Sequence, residues 1–405
     1  MTGTEATPAP LSGIHVLDLG RVISGPFVGQ ILGDLGATVT KIERLGVGDE
    51  TRAYGGGTPS GGSSLFAALN RNKRSVAMDL SNPTGQDVMR RLLGRADVLV
   101  HNFRPGVAER LGLGPEDVWA TNPRVVYCGI SGFGATGPKR TTAANDVIAQ
   151  AFAGLMSFTG AADGPPIRVP VPVADYTAGL FATAGVLAAL VQRAATGRGR
   201  LVETSLLEGM LALESMHLGD YLTGGTLPVR LATGNMLGQP NQAFPTSDGS
   251  VVIAAVNSAM WRRCATALSG PELAADERYA TDADRLARKD ELAEVIEKLT
   301  VGWTTAELVA LLGEAGVVCG PINDLAAVAA DPQVHALGIL QAPPGSAGPA
   351  EMVGSPLSVD GDRPVPRRRA PALGDDATAV LREAGLTDAE IETAHTSGAV
   401  ARPHR

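Results

Sequence analysis

Cysteine is scarce and unpaired in this sequence of 405 residues. Cys128, Cys264 and Cys319 are an odd number, far apart, with no CxxC spacing. That pattern excludes a disulfide framework and a cysteine zinc site, and a reducing, cytoplasmic setting is the expectation. Basic charge is also in deficit: 34 Lys and Arg against 42 Asp and Glu leave a formal net charge of -8. Nucleic-acid binding needs basic side chains clustered on one face, so it is excluded. Long apolar runs are missing too. The most apolar stretch, Ala178 to Val191, is broken by Gly179, Thr183 and Gly185 and is too short to cross a bilayer, so it reads as a buried core helix and no membrane partner is expected. Residues 1–10 have no basic region followed by an apolar one, and read as a disordered leader rather than a secretory signal. What is present is a globular composition, 44% hydrophobic and 19% charged, with 50 glycines and 27 prolines spread along the chain. Scattered in this way, they mark many tight turns rather than one linker.

Strand and helix patterns alternate from the start. Ile14 to Leu19 reads as a strand, Phe27 to Leu35 as a helix and Ala37 to Glu43 as a second strand. Ser75 to Asp79, Thr84 to Arg95, Val98 to His101 and Val125 to Ile130 continue the alternation. Tyr176 to Arg193 is the strongest helix of the first half, closed by Gly197, and Leu201 to Ser205 follows as a strand. The fold class is α/β: a Rossmann-like large domain with a parallel sheet, plus a smaller α+β domain. The expected divisions are 11–224 for the N-terminal part of the large domain, 225–329 for the small domain, and 330–405 for a segment returning to the large one. A final helical segment is expected near Asp376 to Ala384.

Nucleotide and metal motifs are largely absent. The first strand-to-helix turn has Gly20 and Gly25 but no G-x-G-x-x-G, and Pro26 stands where a P-loop needs lysine. The later Gly132, Gly134 and Gly137 do fit that spacing, yet Pro138 follows instead of a helix. No H-E-x-x-H, G-x-S-x-G or EF-hand spacing occurs, the six histidines stand singly, and no metal is expected.

A set of short segments carries a more specific signal. Leu11 to Leu19, Gly25-Pro26, Asp34-Leu35-Gly36-Ala37, Lys41-Ile42-Glu43-Arg44, Gly48-Asp49, Asn70 to Ser75, Asn102-Phe103-Arg104-Pro105-Gly106, Ser131-Gly132-Phe133-Gly134, Val173-Ala174-Asp175-Tyr176 and Thr196-Gly197-Arg198-Gly199 come in that order. In this order and spacing the sequence resembles the class III CoA-transferase family, of the formyl-CoA and carnitine type, which also contains the α-methylacyl-CoA racemases. The resemblance covers about Leu11 to Leu340.

The resemblance implies a CoA-transferase that moves CoA from an acyl-CoA donor, with succinyl-CoA favoured, to a small carboxylic acid. It implies Asp175 as the nucleophile, passing through mixed anhydrides and an aspartyl-CoA thioester. The residue chemistry agrees: an aspartate is ionised at neutral pH, and a helix start would stabilise and orient it. Arg44, Arg104 and Arg110 match CoA-binding positions, with Asn102 and Phe103 as polar and stacking contacts, Met78 near the adenine, and Val22 and Ser24 near the reactive end. No tightly bound cofactor is implied, since CoA is part of the substrate. An interlocked homodimer is expected from the family. Ile23 stands where the formyl-CoA branch has glutamine, which turns the expectation away from formyl or oxalyl substrates. The alternatives are an α-methylacyl-CoA racemase or epimerase, and a non-catalytic acyl-CoA-binding subunit. The racemase branch needs a histidine before an aspartate. Asn145-Asp146 occupies that place, and asparagine cannot exchange a proton near neutral pH. Asp146 remains a candidate second carboxylate.

Overall fold

The computed structural model describes residues 8–56, 63–235, 238–345 and 352–403. Residues 1–7 of the expected leader lie outside them. Two compact units emerge. The larger comprises Met1–Leu155, Arg168–Leu227 and Gln333–Arg405, and the smaller comprises Met156–Ile167 and Pro228–Pro332. Met156–Ile167 falls inside the stretch expected to be large domain. It joins the smaller unit because Ala232 N–H donates to Gly160 O (2.9 Å) and the Arg230 guanidinium donates to Ser157 O (2.9 Å).

In the larger unit the elements run β1 (His15–Asp18), α1 (Ser24–Asp34), β2 (Thr38–Arg44), β3 (Lys73–Met78), α2 (Pro83–Leu93), β4 (Val98–His101), β5 (Val126–Ser131), α3 (Asp146–Ala153), α4 (Val173–Thr196), β6 (Leu201–Ser205), α5 (Leu206–Leu213) and α6 (Ser215–Gly224). The six strands form one parallel sheet in the order β3-β2-β1-β4-β5-β6. This is the doubly wound Rossmann order, with its switch point between β1 and β4, reached without the usual glycine fingerprint.

Side chains alternate along each strand between two cores. Val16, Val39, Val100 and Val126 face α1 and α4, where they meet Val28, Leu32, Ala178, Ala182 and Val186. Leu17, Val76, Met78 and Leu99 face the other way, against Val380, Leu381 and Ile391 of the returning C-terminal segment. That period of two is what a strand buried on both faces requires. The returning segment ends in two helices where one was expected, at Ala377–Glu383 and Asp388–Thr396. The second is started by a Thr387/Glu390 capping box and packs Ile391 and Ala394 inward. Its tail reaches the sheet edge: Asp79 N–H donates to Ala399 O (2.8 Å) and Ala401 N–H donates to Ala77 O (2.9 Å).

The helix α4 begins three residues before the expected start and ends at Gly197, whose φ of 71° closes it. Its buried stripe of Ala174, Ala178, Ala182, Val186 and Ala189 recurs at helical spacing. By length and hydropathy it is long and apolar enough to span a bilayer. Here it packs against α1, α3, α5, β5 and β6.

The smaller unit has a three-stranded antiparallel sheet in the order β7-β8-β9, made from Asn241–Pro245, Ser250–Ala254 and Val318–Pro321. Helices at Ser258–Ser269, Lys289–Thr300 and Thr305–Glu314 cover it around Trp261, Tyr279 and Ile296.

Candidate active site

The loop after β1 turns sharply into α1, and its sequence explains how. A Cβ added to Gly20 would lie 2.7 Å from the Gly25 backbone, so the turn closes only when both residues lack side chains. Between them Val22 sits at φ 64°. A β-branched residue rarely enters this left-handed region, and the strain persists only where surroundings impose it. Three side chains do so. Asn102 grips Arg21, accepting from its N–H (2.8 Å) and donating to its carbonyl (2.7 Å). The Asp49 carboxylate accepts from Val22 N–H (3.3 Å), and the buried Lys41 ammonium donates to Gly20 O (2.8 Å). Burial pushes the Asp49 carboxyl up, but Lys41 and the Thr51 bonds outweigh it and hold the pKa below its usual value. Beneath them Lys73 joins Asp18 (2.7 Å), Pro26 O (2.7 Å) and Asn70 (2.9 Å), wholly out of water.

Asp175 stands in the first turn of α4, half-buried, where that helix crosses the start of α1. Gly179 permits the crossing, since a Cβ there would lie 2.9 Å from the Phe27 ring and 3.1 Å from Ser24 O. Phe27 meets the Tyr176 ring edge-on at 4.8 Å between centroids. Ser24 faces the Asp175 carboxylate, and its hydroxyl and backbone N–H favour the ionised form. The carboxylate therefore faces the N-terminal ends of two helices, neither of which has a side-chain cap at its own N-cap position. Burial and the nearby Asp146 carboxylate nevertheless prevail over the effect of Ser24 and raise the Asp175 pKa to about 6. Position in the sequence suggested an ordinary aspartate. The desolvation and the second carboxylate, both products of the fold, make it a more basic one that is still mostly ionised at pH 7.

Asp146 is the first residue of α3. One of its carboxylate oxygens accepts from Ala174 N–H (2.9 Å), and the other accepts from Gln150 (2.7 Å). Asn145 caps α3, its side-chain oxygen accepting from Ile148 N–H (3.2 Å).

The remaining expected residues divide by location. Arg44, Met78 and Phe103 line one cavity with Lys41, Glu43 and Ser81 at the carboxyl ends of β2 and β3. Phe103 and Arg104 also line a second cavity with His101, Tyr127 and Arg140. Phe103 is thus the wall between the two. Its N–H donates to His101 Nδ1 (3.1 Å) and its ring stacks on the imidazole at 5.2 Å. Burial drives the His101 pKa down to about 4, so that ring is neutral. Arg110 lies at the end of the helical turn Val107–Arg110 and lines neither cavity. Arg44, Arg104 and Arg110 are exposed, and among the described residues none of them forms an ion pair. Asn102 spends its amide on the Arg21 loop and on Ser24 Oγ (3.1 Å) rather than leaving it open. Lys41, Asp49 and Gln150 were not singled out in the sequence. Lys41 and Asp49 sit in the quoted segments, but nothing local marks Gln150, which acts across a separation that only the fold closes.

No group of three or more His, Cys, Asp or Glu suited to a metal ion occurs among the described residues. Residues 11–377 match the family described as CoA-transferase family III. The chain belongs to CoA-transferase family III. This family III member is 37% identical over 397 residues to the succinate–glutarate CoA-transferase of Agrobacterium fabrum, an alignment spanning 95% of this chain and 98% of the relative. It is 36% identical to the acetyl-CoA:oxalate CoA-transferase of Acetobacter aceti, over 96% of this chain and all of that one. A crystal structure of a CAIB/BAIF family protein from Brucella suis superposes with a TM-score of 0.85 at 35% identity, covering 93% of this chain and 100% of the other.

Proposed function

We propose that this family III member is a CoA-transferase whose nucleophile is Asp175. The observation that carries the reading is the Asp175 carboxylate itself, held by Ser24 at the crossing of two helix N-termini beside the strained loop of Val22. Asp175 attacks the thioester carbonyl of the donor, expelling CoA thiolate and leaving an acyl-aspartyl anhydride. The thiolate attacks the aspartyl carbonyl, releasing the donor acid and forming an aspartyl-CoA thioester. The acceptor carboxylate then attacks that thioester, giving a second anhydride and free thiolate. Thiolate attack on the acceptor's acyl carbonyl yields the product thioester and regenerates Asp175. Acyl activation is conserved throughout, so the scheme consumes no nucleoside triphosphate. The N–H groups of Gly20, Arg21 and Val22 are spent on Asp18, Asn102 and Asp49, so those of Ile23 and Gly25 at the start of α1 are the candidates for bonding the oxyanions.

Arg44 and Arg104, unpaired at the two cavities, are suited to the phosphates of CoA, with Arg110 nearby in sequence at the end of its short helix. Phe103 is placed to shape both cavities, and Met78 offers an apolar wall to the adenine. For the substrates, succinate and glutarate in the name of the Agrobacterium relative and oxalate in that of the Acetobacter relative are dicarboxylates. We infer a small dicarboxylic acceptor with succinyl-CoA as donor. Asn145 is engaged as a helix cap, which argues against the racemase alternative. A homodimer belongs to this reading because Leu180, Phe181 and Val191 of α4 and Leu222 of α6 are all at least half exposed, an apolar face that a second copy would cover. A cytoplasmic setting fits three thiols that are all free.

The test is direct. The protein is incubated with succinyl-CoA, treated with hydroxylamine or borohydride, and mapped by mass spectrometry, with glutarate, oxalate and citramalate offered as acceptors. Modification of Asp175 and its loss in Asp175→Ala are expected. Absence of any adduct, together with α-proton exchange in deuterated water, would overturn the transferase reading in favour of a racemase; neither adduct nor exchange would favour a binding subunit.

A further inference from the structure

The helix α4 starts without a cap of its own: its N-cap position is Pro172, which makes no side-chain bond to the first turn. A buried helix end must find partners elsewhere. Asp146 supplies one from another helix, accepting from Ala174 N–H at 2.9 Å, one residue before Asp175. Its second oxygen is not left to solvent, because Gln150, one turn further along α3, donates to it at 2.7 Å. Gln150 is wholly buried and fully used. It also accepts from Val169 N–H (2.9 Å) and donates to Val169 O (3.1 Å), fastening the strand of chain that leads into α4. Three separate pieces, α3, the lead-in at Val169 and the first turn of α4, are thereby joined through two side chains.

Resting on the proposed role of Asp175, we propose that Asp146 is the positioning residue of this site: its carboxylate, oriented by Gln150, fixes the first turn of α4 and so holds the Asp175 carboxylate against Ser24. Its charge has a second effect. Two carboxylates brought this close disfavour ionisation of each other, so Asp146 adds to the larger effect of burial in making Asp175 a more basic nucleophile and moves the acid limit of its ionisation upward.

Other charges around α4 are accounted for. On α1 the charged residue is Asp34, at the far end and bound to Arg71 (2.6 Å). Glu208 on α5 accepts from Ser205 (2.7 Å). Glu203 on β6 faces the second cavity with His101. On β5 the Tyr127 hydroxyl donates to Leu113 O (2.9 Å), and burial pushes the Cys128 thiol up to about 12. Within α4, Arg193 pairs with Asp97 (2.9 Å). Near the loop, Arg21 is paired with Glu50. None of these acts on the Asp175 carboxylate as Asp146 does.

The test separates position from charge. Asp146→Asn keeps an oxygen able to accept from Ala174 N–H but removes the charge, whereas Asp146→Ala removes both, and Asp146→Glu keeps the charge. Asp175 ionisation is followed by carbon-13 NMR of aspartate-labelled full-length protein, and turnover by kcat/KM against pH. In Asp146→Asn the Asp175 midpoint and the acid limb should fall together, by about half to one pH unit. In Asp146→Glu both should stay within about 0.3 pH unit of the parent, the precision we would require of the comparison. In Asp146→Ala the rate should drop at every pH, by about tenfold or more, as expected for a displaced nucleophile. A midpoint in Asp146→Asn superposing on the parent would overturn the charge effect, and undiminished turnover in Asp146→Ala would overturn the positioning role. If the parent forms no adduct on Asp175, the functional reading fails, yet the NMR midpoints still decide whether Asp146 governs that carboxylate. Should Asp146→Asn not fold, Gln150→Leu gives the same decision, since loosening Asp146 must shift the Asp175 midpoint.

Discussion

The Lys41 ammonium lies 2.9 Å from the Asp49 carboxylate, with each side chain only 1% exposed. The pair reaches the loop after β1 from both ends, Lys41 through Gly20 O and Asp49 through Val22 N–H. Removing one member strands the other charge out of water, which in comparable sites costs about 3–5 kcal/mol. Lys41→Met should therefore lower the melting temperature sharply. Lys41→Met combined with Asp49→Asn should recover part of the loss, and a double-mutant cycle by thermal melting measures the coupling. If the two losses simply add, the pair is not what secures the loop.

The raised Asp175 carboxyl gives a pH signature. With a folded pKa of about 6 against 3.8 unfolded, the folded state binds more protons than the unfolded one between these values. Stability contributed at this residue is thus present at low pH and lost as pH rises through 6. Asp175→Asn should abolish transfer yet be more stable than the parent above pH 6, by on the order of 1 kcal/mol after allowing for solvent screening, with the difference vanishing below about pH 4. Urea melts across pH check the sign. The kcat/KM of the parent should itself fall on the acid side with a midpoint near 6.

Gly179 is where α1 and α4 touch. A methyl group placed there meets the Phe27 ring and Ser24 O at 2.9 and 3.1 Å. Gly179→Ala should cost about 1–3 kcal/mol by overpacking and, because the displaced atoms carry Ser24 away from Asp175, should reduce kcat as well. Chemical denaturation and steady-state kinetics on one preparation separate the two effects. A variant that is destabilised with kcat unchanged would show that the helix crossing does not set the position of Asp175.

The arginines differ in prediction from Asp175. Arg44→Ala and Arg104→Ala each remove an exposed guanidinium from a cavity wall. Each should raise KM for the acyl-CoA by about tenfold, the worth of one charge-assisted contact, with kcat little changed. The loss should shrink as salt is added, because screening already weakens the parent's contact. A fall in kcat at constant KM would move these side chains out of the binding role.

Much of the large unit was legible in the sequence because its signals are local. Val98 to His101 is bounded identically in sequence and structure, and Gly197 closes α4 through its own backbone angle. Asp175 is marked out by the Val173-Ala174-Asp175 segment, and the fold sets it at the start of α4. The tuning of that residue was not legible. Asp146 and Gln150 approach it through hydrogen bonds separated by 28 and 19 positions, and no periodicity reports such a meeting. Asn102 shows the opposite limit: the motif marks it out, yet only the fold brings its amide to Arg21 and Ser24. The helix at Asp388–Thr396 escaped because its apolar face is short, although its Thr387/Glu390 capping box was there to be read.

The strand β3 lies at the edge of the sheet and carries Met78, a wall of the first cavity. Its outer side is finished by residues far downstream: Arg74 pairs with Glu383, 309 positions away, and Met78 bridges to Val400. During synthesis on the ribosome β3 must therefore wait, with unpaired backbone groups along one side, while the rest of the chain is made. The cavity at the carboxyl ends of β2 and β3 is the last part of the large unit to be completed, so a nascent chain that has already placed Asp175 still lacks the full wall of that cavity.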